Sequence, residues 1–159
     1  MSMASAIAIC VRCVVEFQVK QFNELTPEEL YEIIKTRFDI FVIEQNIMCR
    51  DLDDVDKTAL HVFCRNEDGR VTGYLRVFWN DRAAGVAQIG RVVTLFHGIG
   101  VGGPLLTKGI DVARQMGAAS ILLHSQEYAI GYYAKQGFEV TSDTFLEDTI
   151  PHVEMVLRL

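Results

Sequence analysis

His97-Gly98-Ile99-Gly100-Val101-Gly102-Gly103-Pro104 joins an apolar strand pattern, Val86 to Leu95, to a run in which Leu105, Leu106, Ile110, Ala113 and Met116 recur at helical spacing before Gly117. A turn in that position gathers unpaired backbone N–H groups and the positive end of a helix dipole around one point, which suits a diphosphate. Glycines let the backbone approach the oxygens and reach φ > 0. Pro104 gives up only a donor that has no partner inside the helix. Such a site needs few Lys or Arg, and the chain has a formal net charge of −6. That charge excludes a general affinity for nucleic acid or anionic lipid, because the long-range field repels both.

Three readings of the turn compete. The glycines Gly98, Gly100 and Gly103 satisfy G-x-G-x-x-G, the fingerprint of a dinucleotide site. That unit expects the turn after its first strand and an acidic residue about 20 positions on. Here three strand patterns come first, and Leu122 and Leu123 stand near the acidic position. A nucleoside triphosphate loop fails because no Gly-Lys-Ser/Thr follows. A tight structural turn is the third reading.

Outward from the turn, 159 residues with half of them apolar make one globular domain. Val14 to Phe22 reads as a strand. Thr26-Pro27-Glu28-Glu29 then starts a helix, with Thr26 as N-cap, Pro27 first and Glu29 closing a capping box. Leu30, Ile33, Ile34, Phe38 and Phe41 carry that helix to about Val42. Arg50 to Lys57, with Asp51, Asp53, Asp54 and Asp56, lacks the Gly and closing Glu of a calcium loop and reads as a solvated loop.

Strands follow at Leu60 to Arg65, Val71 to Trp79 and Val86 to Leu95, joined by short turns that predict an antiparallel meander. After the Gly-rich turn and its helix come a short strand, Ile121 to His124, a helix from Tyr128 to Gln136, and a last strand from Val153 to Leu159. The order predicts an α/β fold with a sheet of mixed direction. Residues 1–13 read as an N-terminal extension and 14–159 as the domain. The segment Met3 to Val15 lacks a basic start and a small-residue cleavage site. No stretch reaches the ~20 apolar residues of a membrane helix. Cys10, Cys13, Cys49 and Cys64 lack zinc-finger spacing, Cys10-x-x-Cys13 reads as incidental, and free thiols suit a reducing cytoplasm.

Taken with its neighbours, the turn resembles the cofactor motif of the GNAT superfamily of N-acetyltransferases, Q/R-x-x-G-x-G/A, occupied here by His97 to Gly102. His97 stands where the motif usually has Arg or Gln, and the link from Arg91 to Gly98 looks about two residues short. The resemblance is to the ElaA-type branch and spans roughly residues 22 to 159. It rests also on Val42-Ile43-Glu44-Gln45, His61, Gly90-Arg91-Val92, His124-Ser125-Gln126, Tyr133 with Gly137-Phe138, and Glu147 to Met155.

The resemblance implies a single-domain GNAT fold, with a mostly antiparallel sheet splayed between two parallel strands and flanked by helices. It implies acetyl-CoA as cosubstrate, without a metal, held by Val92, Val93 and Thr94 backbone and by His97, Gly98, Ile99, Gly100, Val101, Gly102 and Gly103. Tyr133 matches the tyrosine that protonates the departing thiolate, although a helical tyrosine can equally be packing. A small-molecule or peptide amine is the implied acceptor, attacking directly in a ternary complex, and a homodimer is an assembly common in the family.

His61, Arg76 and Arg91 interrupt apolar strands, where charged groups are paired or line a cleft. With Glu44, Asp54, Gln126, Glu147 and His152 they form a candidate acceptor pocket; ion pairs tying the acidic loop to the sheet are the equal alternative. Glu147, His152 or His61 could relay the amine proton. His124 reads as structural. A GNAT module that binds acyl-CoA without turnover is the competing function.

Overall fold

The computed structural model describes residues 15–98 and 100–159. The expected extension 1–13, the Cys10/Cys13 pair and Ile99 lie outside the described residues. The capping box forms: Thr26 Oγ1 accepts from the Glu29 N–H at 3.1 Å, and Glu29 Oε2 accepts from the Thr26 N–H at 3.0 Å. It opens helix α1, Pro27–Phe38. The expected single helix stops there, and the chain continues as a π-helical segment, Asp39–Glu44. The wider turn breaks the 3.6-residue register, which the apolar spacing alone does not reveal.

Strands β1 (Gln18–Gln21), β2 (Leu60–Arg65), β3 (Val71–Asp81) and β4 (Val86–Thr94) form the expected antiparallel meander. Helix α2 (Gly102–Gln115) then crosses to β5 (Ser120–Gln126), which pairs parallel with β4. A 3-10 turn, Glu127–Ala129, leads into the short α3 (Ile130–Ala134). The final strand β8 (Ile150–Arg158) runs antiparallel to β5. Two fragments, β6 (Glu139–Val140) and β7 (Phe145–Glu147), pair with β8. At two and three residues they are too short to leave a period-2 signature.

Helices cover both faces of this sheet. Leu105, Leu106 and Ile110 of α2 and Tyr133 of α3 pack in one cluster with Val62, Leu75 and Ile89. Ile33 and Ile40 pack in another with Phe63, Tyr74 and Val93. Neighbouring residues Tyr74 and Leu75 belong to opposite faces, as strand alternation requires. Helix α2 sits close to the sheet: a Cβ at Gly109 would stand 2.8 Å from Leu75 Cδ2, so a larger residue there would force the buried Leu75 side chain to move.

Candidate active site

Strands β4 and β5 share register only from Val86↔Ser120 to Gln88↔Leu122. Beyond that point both continue, to Thr94 and Gln126, with no pairing between them. The sheet therefore splits. On its other side β4 bulges, since Arg76↔Gly90 is followed by Tyr74↔Val93, three steps on β4 against two on β3. Arg91 lies in the bulge at φ 54°. The β4 edge around Val92 thus faces an open gap with backbone groups that no strand partner uses.

The Gly-rich turn closes one end of the gap. Gly98 and Gly100 adopt φ 78° and 80°, which L side chains rarely reach, and α2 begins at Gly102. The Tyr132 hydroxyl donates to the Gly102 carbonyl, pinning α3 to the start of α2. His97 is well exposed, and its Nε2 stands 2.9 Å from Glu44 Oε1.

A cavity of about 130 Å3 occupies the gap between β4 and β5. Val92, Tyr133, Arg91, Gln126, Glu147 and His152 all line it, and it adjoins a second hollow reaching Cys49 and Asp148. Tyr133 is 8 % exposed, and no hydrogen bond to its hydroxyl is found among the described residues. Burial, with the neighbouring Tyr132 and Tyr128 adding to it, holds its phenol protonated far above the ordinary range.

At the far wall Glu147 lies between two imidazoles. His124 Nδ1 is 3.1 Å from Glu147 Oε1, and His152 Nε2 is 3.4 Å from Oε2. Phe145, two residues before Glu147 and so on the same side of β7, meets His124 edge-on and stacks on His152. His152 Nδ1 donates to the Ile150 carbonyl at 2.8 Å, which in the neutral ring leaves Nε2 an acceptor facing a carboxylate. At 3.4 Å only a proton fits between that nitrogen and the carboxylate, so the two atoms can share one.

His124 is raised above the usual histidine value by its hydrogen bond to Glu147, burial opposing, and Glu147 is lowered by the same bond. The sign follows for each. The His124 contribution to stability is complete below about 6.5, its ordinary value, and fades as pH rises through the raised value. That of Glu147 is present above about 4.5 and lost as pH falls through the lowered value. We therefore expect His124→Gln to lower Tm more at about pH 6 than at about pH 9. A gap that is constant across that range rules out the charged pair.

The structure separates the expected pocket residues. Arg91, Gln126, Glu147 and His152 share the cavity, whereas Glu44 does not line it and pairs instead with His97. His61 is a correction: it is fully buried, accepting from Tyr74 Oη at 2.8 Å and donating to the Asp56 carbonyl at 2.8 Å. Desolvation lowers its pKa, so it stays neutral among the arginines. Asp54 is a second correction, since it points to solvent with a 2.7 Å contact to Lys57. Both border a separate apolar hollow beneath α1.

Arg76 is the third correction. It is 3 % exposed and holds Asp53 through two bonds, 2.7 and 2.6 Å, and Asp56 at 2.9 Å. The Arg76 fork carries Asp53 down to about 2. Arg37, buried in α1, binds Asp51 at 2.9 Å and Asp56 at 2.8 Å. Arg91 reaches Asp51 at 2.9 Å and Asp53 at 3.3 Å. The acidic loop is thus not simply solvated: three of its four aspartates pair with arginines from α1, β3 and the β4 bulge. Arg91 takes both roles, fixing the loop and lining the gap.

Residues 19–159 match the family described as the acetyltransferase (GNAT) domain. The chain belongs to this GNAT acetyltransferase family, and it is an acyltransferase. A UPF0039 protein of Schizosaccharomyces pombe is 37 % identical over 148 residues, covering 91 % of this chain and 97 % of the relative. Protein ElaA of Escherichia coli is 28 % identical over 146 residues, covering 89 % and 95 %. Among solved structures, an acyl-CoA N-acyltransferase from Pseudomonas aeruginosa superposes with a TM-score of 0.82 at 29 % identity, over 90 % of this chain and 99 % of that one. The crystal structure of Escherichia coli ElaA superposes with the same score at 27 % identity and the same coverage.

The split between parallel β4 and β5 is therefore the GNAT splay expected from the motif. The sequence reads His124 as structural, although it shares a strand face with Gln126 two residues on, and the structure brings it against Glu147. Phe145 and Phe41 carried no polar signal and were passed over.

Proposed function

We propose that the protein transfers an acetyl group from acetyl-CoA to a primary amine by direct attack in a ternary complex. The observation that carries this reading is that Tyr133, whose hydroxyl has no partner among the described residues, and the Glu147–His152 pair line one cavity at the splay. Acetyl-CoA is the cosubstrate and supplies the activated thioester. The start of α2, with Gly98, Gly100, Gly102 and Gly103, suits its diphosphate, and His97 adds a donor beside it. The residue between Gly98 and Gly100, Ile99, completes the motif. Val101 is buried and turns its side chain onto Gly73, so its part is to hold the turn on the sheet.

Backbone groups at Val92, Val93 and Thr94 polarise the thioester carbonyl. The Glu147–His152 pair relays to solvent the proton that an arriving ammonium gives up to become a nucleophile, and then takes the proton that the nitrogen sheds as the C–N bond forms. Tyr133 gives its proton to the sulfur as the C–S bond breaks. Glu147, with Asp148 beside it, favours an amine that arrives as a cation; Arg91 and Gln126 shape the other wall. Among the described residues no cluster of His, Cys, Asp and Glu suits a metal ion, and this chemistry asks for none. Among the same residues no helix is long and apolar enough to cross a membrane. We place the activity in the cytoplasm on the thiols of Cys49 and Cys64, which form no disulfide among the described residues, and leave a homodimer to be tested by mass in solution.

Thermal melts with acetyl-CoA, coenzyme A and NADH test the ligand. Saturation at ~100 times Kd adds ~2.7 kcal/mol, or roughly 5–11 °C for a chain of this size. A rise with both coenzyme A compounds and none with NADH is the expected result. A rise with NADH alone overturns it and restores the dinucleotide reading of Gly98, Gly100 and Gly103.

A further inference from the structure

The π-helical segment after α1 runs across the mouth of the splay. Glu44 is joined to His97 beyond the end of β4, at 2.9 Å. Gln45, the next residue, is joined to the other lip: its side-chain carbonyl accepts from Gln126 at the end of β5 at 3.2 Å, and its amide donates to Tyr128 Oη at 3.1 Å. Two adjacent side chains thus tie both lips of the gap. Phe41, one helical turn earlier, and Gln45 both border the cavity that Tyr133 borders from the α3 side.

The two faces of the sheet give this strap a direction. Helices α2 and α3 and Tyr133 pack on one face, and α1, which the strap continues, packs on the other. A thioester held at β4 with its sulfur near Tyr133 directs its acyl carbons through the gap toward Phe41 and Gln45. We infer that Gln45 limits the length of the acyl group this enzyme accepts, by closing the α1 side of the gap through its bonds to Gln126 and Tyr128. The inference rests on the acyl-CoA reading above. An acetyl methyl fits beneath the strap, while each further methylene must displace a bonded side chain or be refused.

The test needs no acceptor. Calorimetric titrations with coenzyme A, acetyl-CoA, butyryl-CoA and hexanoyl-CoA compare the wild type with Gln45→Ala, a half-exposed position where truncation leaves the core intact. In the wild type butyryl-CoA and hexanoyl-CoA should bind at least about tenfold more weakly than acetyl-CoA, and Gln45→Ala should narrow that ratio by about tenfold. Coenzyme A itself, which has no acyl group, should bind both proteins alike. An unchanged ratio with coenzyme A binding intact overturns the role of Gln45. Failure of the wild type to bind coenzyme A instead sinks the acyl-CoA reading beneath it.

Discussion

Arg37→Met is expected to lower Tm by roughly 6–20 °C, from a loss of about 3–5 kcal/mol when one partner of a buried ion pair is removed. The side chain is 1 % exposed and its guanidinium makes three bonds, to the carboxylates of Asp51 and Asp56 and to the Asp51 carbonyl. It also lies over the Tyr74 ring, 5.7 Å from the centroid. Methionine keeps much of the volume but leaves two carboxylates short of a counter-charge. Asp56 retains Arg76 and Asp51 retains Arg91, so the loss falls on a network that still exists in part. Arg37→Lys keeps the charge without the planar fork and should fall between. A drop of less than about 2 °C for Arg37→Met would show that this network contributes almost nothing.

The effect reaches the site because Asp51 bonds Arg37 through one oxygen and Arg91 through the other. Arg91 is the residue at φ 54° in the β4 bulge. Freeing the loop therefore loosens the strand edge that faces the gap.

Tyr133→Phe is expected to reduce turnover by about 10²-fold while leaving coenzyme A affinity within about twofold, as suits the loss of a general acid that acts only as the sulfur departs. Phenylalanine preserves the packing, in which the ring meets Phe138 and Tyr132 edge-on at 6.1 and 4.8 Å. Only the proton is lost. Tyr132 supplies the contrast, because its hydroxyl is already committed to the Gly102 carbonyl. Burial pushes Tyr132 up to about 12, so both phenols are protonated at neutral pH and geometry alone distinguishes them. Tyr132→Phe should loosen the start of α2 and weaken coenzyme A binding with a smaller effect on kcat. Coenzyme A release with a mixed panel of amines measures both variants. Equal kcat for Tyr133→Phe and wild type would remove Tyr133 from the chemistry.

Much of this was legible along the chain. The capping box at Thr26, the meander from β2 to β4 and the start of α2 follow from near-neighbour rules, so the structure repeats them with boundaries shifted by a few residues. The Gly-rich turn was legible for the same reason, since φ > 0 at Gly98 and Gly100 is a demand that only a local residue type can meet. The motif as a whole also pointed to the family, which the match over residues 19–159 bears out.

Charge was the weak point. Arg76, Arg91 and His61 announced buried or cleft-facing polarity, but one-dimensional pattern holds no partner for them. Asp51, Asp53 and Asp56 lie 20 to 40 residues from the groups they meet in β3 and β4, and α1 brings Arg37 from the other side. Which charge neutralises which is set by distances across the folded sheet. His124, Glu147 and His152 likewise converge only because β5, β7 and β8 lie side by side. Local propensity and turn chemistry act between residues a few positions apart, and they specified the elements and the Gly-rich turn. Electrostatic pairing and cavity shape act between residues that chain topology alone brings together, so the loop clamp, the histidine–carboxylate wall and the strap at Gln45 emerge only in the folded molecule.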